Sequence, residues 1–184
     1  MKLMLQNVRL AFPNLWVAQR VNGEGEPAFS ASLLLAPDHP AVAALNKAFE
    51  EVAKEKWGAK AAAVLKAMRA TDKLCLHDGD TKSNYDGFPG NMYVSARSKV
   101  RPTVIDRDRT PLNQEDGKPY SGCYVNASIE LWAQDNKFGK RINAQLRGVQ
   151  FFADGDAFAG GSTPADAEEF EDMSTEGAEV DPTA

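Results

Sequence analysis

A run of positive charges at alternate positions is the feature of this sequence that could do chemistry. Arg97, Lys99 and Arg101 lie two residues apart, Tyr93 is in the same phase, and the alternate positions around Val94 are mostly apolar. This alternation predicts a half-buried strand whose outer face carries the ring and the cations. Side chains two residues apart on a strand stand about 7 Å apart, which suits successive phosphates of a single-stranded nucleic acid. The segment therefore predicts a surface that binds a polyanion.

Other basic and aromatic residues extend this predicted surface. Binding of single strands requires both kinds, because cations neutralise phosphates and exposed rings stack on bases. Charge alone would suit a duplex as well, outward Tyr, Lys and Arg are ordinary on strands, and Trp132 could instead pack beneath a helix. The DNA-binding residues that we predict are Tyr93, Arg97, Lys99 and Arg101, the flanking Lys82, Tyr85, Arg107 and Arg109, and on later strands Tyr124, Trp132, Lys140, Arg141 and Arg147.

The sequence contains no recognisable motif for catalysis or metal binding. His77 lies near Cys75, but no further Cys or His follows at the spacing of a zinc site. Asp78 and Asp80 resemble the start of a calcium loop that lacks the required glycine and the closing glutamate. Phosphate-binding loops, the G-x-S-x-G motif and the dinucleotide fingerprint are also missing. We predict a protein that is not an enzyme and uses no metal or cofactor, with Cys75 and Cys123 as small buried thiols.

The charge of the chain is distributed unevenly. The net charge of the 184 residues is -5, from 21 basic and 26 acidic residues. Ten of the acidic residues lie in 154–184, which has no Lys or Arg, so residues 1–153 hold 16 acids against all 21 bases and carry +5. An acidic tail on a basic body is typical of proteins that handle polyanions, although it also suits a tail that only keeps a protein soluble.

The tail composition predicts disorder, because Gly, Ser, Pro, Ala and acidic residues dominate from 153 onward. Under the polyanion hypothesis, this segment competes with the nucleic acid for the basic surface and becomes free to recruit partner proteins when the nucleic acid displaces it.

Hydrophobic periodicity predicts the elements that position these residues. Strands are expected over 3–12, 28–35, 91–101, 122–132 and 141–152, and helices over 38–70, with Asp38 as the N-cap. The fold class is therefore mostly β with a helical insertion, and an oligonucleotide-binding (OB) barrel of five strands fits the pattern. We predict one OB-like domain over 1–153 and a disordered acidic tail over 154–184. The sequence has neither a signal peptide nor an apolar run of about 20 residues, which predicts a cytoplasmic protein without membrane contact.

Several stretches resemble one protein family in order along the chain. They are "MKLMLQNVRLAFPNLW", "FSASLLL", "CLHDGDTKSNYDGFPGNMYVSARSKVRP" and "PYSGCYVNASIELWAQDNKFGKRINAQLRGVQFF", which together span about residues 1–152. They are similar to the single-stranded DNA-binding proteins of tailed phages of the Enterobacter-phage type, which in turn resemble the T7-type phage single-strand binders. The chain differs from the T7 type at its end, "EVDPTA", which lacks an acidic tip with a phenylalanine.

The resemblance implies an OB barrel without a cofactor, followed by an acidic tail. It also implies that the protein coats single-stranded DNA, without sequence preference, during phage replication or recombination in the cytoplasm of the bacterial host. Two alternatives remain at this stage. One is a protein-interaction or RNA-binding barrel with a solubilising tail, and the other is a metal-dependent nuclease, which the missing carboxylate and histidine constellation disfavours.

Overall fold

A β-barrel with a helical insertion forms the body of the protein. The computed structural model describes residues 1–21, 23–158 and 167–174. Within these residues the chain forms two α-helices, α1 (Pro40–Trp57) and α2 (Ala61–Ala70), and seven β-strands. The strands are β1 (Lys2–Val21), β2 (Glu24–Leu35), β3 (Leu76–Asp78), β4 (Met92–Ser98), β5 (Thr103–Ile105), β6 (Tyr124–Asn136) and β7 (Gly139–Ala153).

Five of these strands close into a barrel. The strands follow the order β4-β2-β1-β6-β7 with antiparallel neighbours, and a parallel pairing of β4 with β7 joins the two ends. The short strands β3 and β5 add to the outer edges of β4 and β7. The predicted fold class, a mostly β chain with an OB-like five-stranded barrel and a helical insertion, is confirmed.

Alternation of side chains builds the barrel core in β6 and β7. In β6 the residues from Cys123 to Leu131 alternate between buried and partly exposed, as predicted. In β7, Gly148 pairs with Ser128 whereas Leu146 pairs with the next residue, Ile129, so a bulge absorbs one residue and returns Val149 to the core. Both cysteines are free and buried, and burial raises the pKa of the Cys75 thiol to about 12 and of the Cys123 thiol to about 11.

The side-chain alternation of β1 is interrupted because the strand contains two bulges. An unbroken alternation would have placed Met4 and Phe12 in the core together with Val8 and Leu10. Residues Asn7 and Phe12 instead adopt positive φ angles of 53° and 48°, and the register shifts beside each of them. Met4 is therefore 55% exposed and Phe12 37% exposed.

The helical insertion packs its apolar faces onto the barrel. The buried side chains of α1 and α2 join the same core cluster as the interior of the strands. His39 is the N-cap of α1, in place of the predicted Asp38, since its Nδ1 accepts a hydrogen bond from the Ala41 amide at 3.0 Å. Gly58 ends α1 with a φ of 55°, as expected for a helix stop. No helix of the described residues is long and apolar enough to span a bilayer.

Residues Asp154–Phe158 lie against the barrel. The Tyr120 hydroxyl donates to the Asp154 carboxylate at 2.8 Å, and Arg9 Nη2 donates to the Asp156 carbonyl at 2.8 Å. The Phe158 ring lies 4.3 Å from the Arg9 guanidinium and packs against the buried cluster of Phe88. Gly122 permits this approach, because a Cβ there would lie 2.2 Å from the Asp156 carbonyl oxygen. The tail was predicted to be disordered over 154–184; the contacts of 154–158 differ from that prediction, and 159–166 and 175–184 lie outside the described residues.

Candidate nucleic-acid interface

A groove with a volume of about 980 Å³ runs between β4 and the β6–β7 hairpin. One wall comes from the beginning of β2 and the end of β4, and the other comes from the hairpin. The segment that leads into β3 contributes Lys73, and β3 itself contributes His77. The parallel pairing of Arg97 with Gln145 holds the two walls at a fixed separation. The groove is therefore a preformed feature of the closed barrel.

Basic side chains dominate the charge of the groove. Lys73, Arg97, Lys99 and Arg141 line it, and Glu26 is the only acidic residue among the described side chains of its lining. Lys99 forms an ion pair with Glu26. The hydrogen bond from the Lys99 ammonium, together with its positive charge, lowers the pKa of the Glu26 carboxyl. Because both side chains are more than two-thirds exposed, the ion pair is easily exchanged for another anion.

Two exposed aromatic rings lie on the hairpin wall. Trp132, opposite Asn143 in the β6–β7 pairing, is 47% exposed, and Phe138 in the hairpin turn is 74% exposed. The Phe138 amide donates to Asn136 Oδ1 at 2.9 Å, which fixes the backbone of the turn. Rings left open to solvent beside cations offer faces on which planar groups can stack.

Uncharged amide side chains occupy the surface between the rings and the cations. Asn143 Nδ2 donates to Gln134 Oε1 at 3.0 Å, and Gln145 Nε2 reaches Ser98 Oγ at 3.5 Å. Amides can both donate and accept hydrogen bonds, so they can satisfy different polar edges of a ligand. The groove can thus bind a chain of phosphates and planar rings. Among the described residues, no three His, Cys, Asp or Glu side chains are grouped so as to hold a metal ion.

Comparison with known proteins identifies the family. The family model described as the ssDNA-binding protein of Enterobacter phage Enc34 matches residues 1–180. The chain belongs to this family. A protein designated p50, from Acyrthosiphon pisum secondary endosymbiont phage 1, is 46% identical over 177 residues, which cover 95% of each chain.

Solved structures agree with this membership in the Enc34 family. The single-stranded DNA-binding protein from bacteriophage Enc34, in complex with ssDNA, superposes with a TM-score of 0.71 at 27% identity, covering 85% of this chain and 88% of that chain. The single-stranded DNA-binding protein encoded by bacteriophage T7 superposes with a TM-score of 0.55 at 14% identity, covering 88% and 92%, and shares the fold. The resemblance noted in the sequence is therefore confirmed.

Four of the predicted site residues meet in the groove of this Enc34-family protein. They are Arg97, Lys99, Trp132 and Arg141. Lys140 lies at the same hairpin, where its Nζ is 3.9 Å from an Asp135 carboxylate oxygen. The proximity of β4 to the hairpin comes from barrel closure, which periodicity along the sequence does not reveal.

The position of Tyr93 differs from the prediction, which placed its side chain on the exposed face of β4. Its side chain was expected to be exposed, but the residue is only 5% exposed and lies in a small cluster with Ala11, Leu34 and Phe88. The His77 ring, 5.0 Å away, and the Lys82 ammonium, 5.1 Å away, cover it further. Burial raises the pKa of its phenol. The outer face of β4 is covered here because Phe88, from the loop after β3, packs against Tyr93 and its neighbours in the sheet, Leu34 and Ala11.

Three of the predicted arginines are engaged by the protein itself. Arg101 Nη2 donates to the Trp16 carbonyl at 2.9 Å, away from the groove lining. Arg107 donates to the Phe152 carbonyl, and Arg147 pairs with Glu130 at 2.9 Å. Arg109 sits in a turn with a φ of 70°. These four residues do not line the groove.

The remaining predicted residues lie toward the other end of the barrel. Tyr124 is separated from Trp132 by about 26 Å along β6. The Arg9 guanidinium lies 5.5 Å from the Tyr124 ring. Lys82 covers Tyr93, and Tyr85 is 37% exposed on the loop before β4.

Lys73 and Phe138 line the groove although neither was predicted as a site residue. The sequence does indicate that Phe138 is exposed, because a large ring in the short polar turn "DNKFGK" has no core to enter. No sequence pattern indicates that Lys73 lines the groove, because it follows α2 and reaches the groove only through the contact of its segment with β7.

Proposed function

We propose that this protein binds single-stranded DNA through the groove, without sequence preference, and coats it during phage DNA replication or recombination. The observation that carries the proposal is the convergence of Arg97, Lys99 and Arg141 with the exposed rings of Trp132 and Phe138 in one groove. Membership in the Enc34 family supports it, as does the relative that was solved in complex with ssDNA.

The groove chemistry favours single strands over duplex. The cations neutralise phosphates, and release of counterions drives binding. Trp132 and Phe138 stack on bases, which a duplex keeps paired and stacked. Every base has a planar face and the amide side chains accept varied partners, so affinity depends little on sequence. The protein has a binding role and no catalytic one, and it works in the cytoplasm of the host bacterium.

The acidic tail acts as a competitor for the groove. Residues 159–184 contain eight acidic residues and no basic one. Because the contacts of Asp154–Phe158 tether this segment to the barrel, its local concentration near the basic groove is high. DNA in the groove displaces it and frees it for replication or recombination proteins.

Replacing Arg97, Lys99 and Arg141 together by Ala should weaken binding of oligothymidine and flatten its salt dependence. Each phosphate contact with a single strand contributes about -0.7 to the slope of log K against log salt, so four cations predict a slope of about -3 and the variant about -1. Fluorescence titrations at several salt concentrations measure both slopes.

A matched control separates the groove from net charge. Replacing Lys54, Lys60 and Lys66 by Ala removes the same charge from exposed helical positions outside the groove and should leave the slope unchanged. An unchanged slope in the groove variant would place the DNA elsewhere.

Glu26→Gln should raise the affinity for oligothymidine, because it frees Lys99 and removes the groove carboxylate.

Trp132→Ala should weaken binding of oligothymidine by about 1–3 kcal/mol, since it removes a stacking ring. Trp132→Phe should retain most of the affinity but abolish the quenching of tryptophan fluorescence by DNA, although Trp16 and Trp57 remain. Melting temperatures should change little, because the ring is half exposed. A lowered melting temperature with unaltered affinity would instead assign Trp132 to the core.

Truncation after Phe158 should raise DNA affinity, most strongly at low salt, and extend binding to duplex, because charges of the tail are screened beyond about 8–10 Å at physiological salt. Its melting temperature should stay at that of the full chain. Truncation after Ala153 should additionally lower the melting temperature, since Phe158 leaves its apolar site. Equal affinities of the full chain and the first truncation at low and high salt would show a tail that only confers solubility.

A further inference from the structure

Phe12 has a backbone conformation that a bulky side chain rarely adopts. Its φ of 48° lies in the left-handed region, at the point where the register of β1 with β2 shifts. Such a conformation carries an energetic cost for a bulky residue, and residues of this kind cluster at functional sites. Burial of the ring in the core does not offset this cost, since the residue is 37% exposed.

Phe12 and Tyr85 form a pair of exposed rings, which we call the second platform. Their centroids are 5.0 Å apart at an interplanar angle of 85°, and Tyr85 is also 37% exposed. Both rest on Phe88, which is fully buried. The loop of Tyr85 is fixed by Asp80, whose carboxylate accepts from the Gly90 amide at 2.8 Å. The platform is therefore rigid before any ligand arrives.

A continuous layer of rings connects the second platform to the groove. Phe88 contacts Tyr93 at 5.1 Å, Tyr93 contacts His77 at 5.0 Å, and His77 lines the groove. Lys82 lies over Tyr93, on this route, and offers a charge for a phosphate. A strand that leaves the groove past His77 would pass Lys82 and reach the two rings.

We propose that Phe12 and Tyr85 are a second stacking site for single-stranded DNA, which receives bases of a strand that extends beyond the groove. This proposal rests on the proposed function of the groove. Two rigid, half-exposed rings with a neighbouring cation fit unpaired bases, and the strained backbone of Phe12 is what keeps its ring at the surface. The two rings themselves carry no charge, so removing one of them should lower affinity while Lys82 and its contribution to the salt dependence stay in place.

The test compares Phe12→Gly and Tyr85→Ala with the wild-type chain on two lengths of oligothymidine, of about 5 and about 16 nucleotides. Glycine adopts a positive φ freely, so Phe12→Gly removes the ring without straining the backbone. Each variant should bind the longer strand about 10-fold more weakly, as expected for the loss of one stacked base, and bind the shorter strand like the wild type. The salt slope should not change.

Met4→Ala is the matched control, since it removes an exposed apolar side chain from the same strand, and it should alter neither affinity. Equal affinity of wild type and both variants for the longer strand would overturn the second platform, as would an equal loss on both lengths. Failure of the wild-type chain to bind either oligonucleotide would instead overturn the proposed function itself.

Discussion

The parallel pairing of β4 with β7 is the constraint on which the site depends. Ala96 and Arg97 pair with Ala144 and Gln145, and this short contact converts a curved sheet into a closed barrel. Closure places the basic end of β4 opposite the β6–β7 hairpin, so that cations and exposed rings from distant parts of the sequence face one groove. Small side chains make the approach possible, since Ala96 and Ala144 are both buried at the seam.

The proposed function divides the binding energy between two kinds of residue. In it, the groove cations attract phosphates over a distance and respond to salt, whereas the rings act only on contact with unpaired bases. The proposed preference for single strands follows from the combination, because charge alone attracts any nucleic acid. In the same proposal the tail is a third component, an internal polyanion, and its root, Asp154–Phe158, is packed on the cluster that also contains Phe88 and Tyr93.

Sequence patterns predicted much of the fold, and physical reasons explain where they failed. Strands β6 and β7 followed strict alternation, so their faces and the bulge at Gly148 were predictable. In β1, positive φ angles at Asn7 and Phe12 shift the phase, and nothing in the alternation signals them. Tyr93 was misplaced because periodicity identifies two faces of a strand but does not reveal that the loop after β3 covers the outer one.

The candidate site was predictable only in part for a similar reason. Arg97, Lys99, Trp132 and Arg141 were found from residue type and strand phase, but the engagement of Arg101, Arg107 and Arg147 by protein groups depends on tertiary contacts. Lys73 enters the groove through the packing of a loop, which no local pattern encodes.

We propose that single-stranded DNA occupies the groove between β4 and the β6–β7 hairpin, and NMR chemical shifts recorded during titration with oligothymidine locate the bound strand. With DNA in the groove, the Trp132 indole N–H and the backbone amides of 97–99 and 141–145 should shift strongly, while the amides of α1 and α2 remain unchanged. Shifts concentrated on the helices, with an unperturbed Trp132 indole, would contradict this proposal.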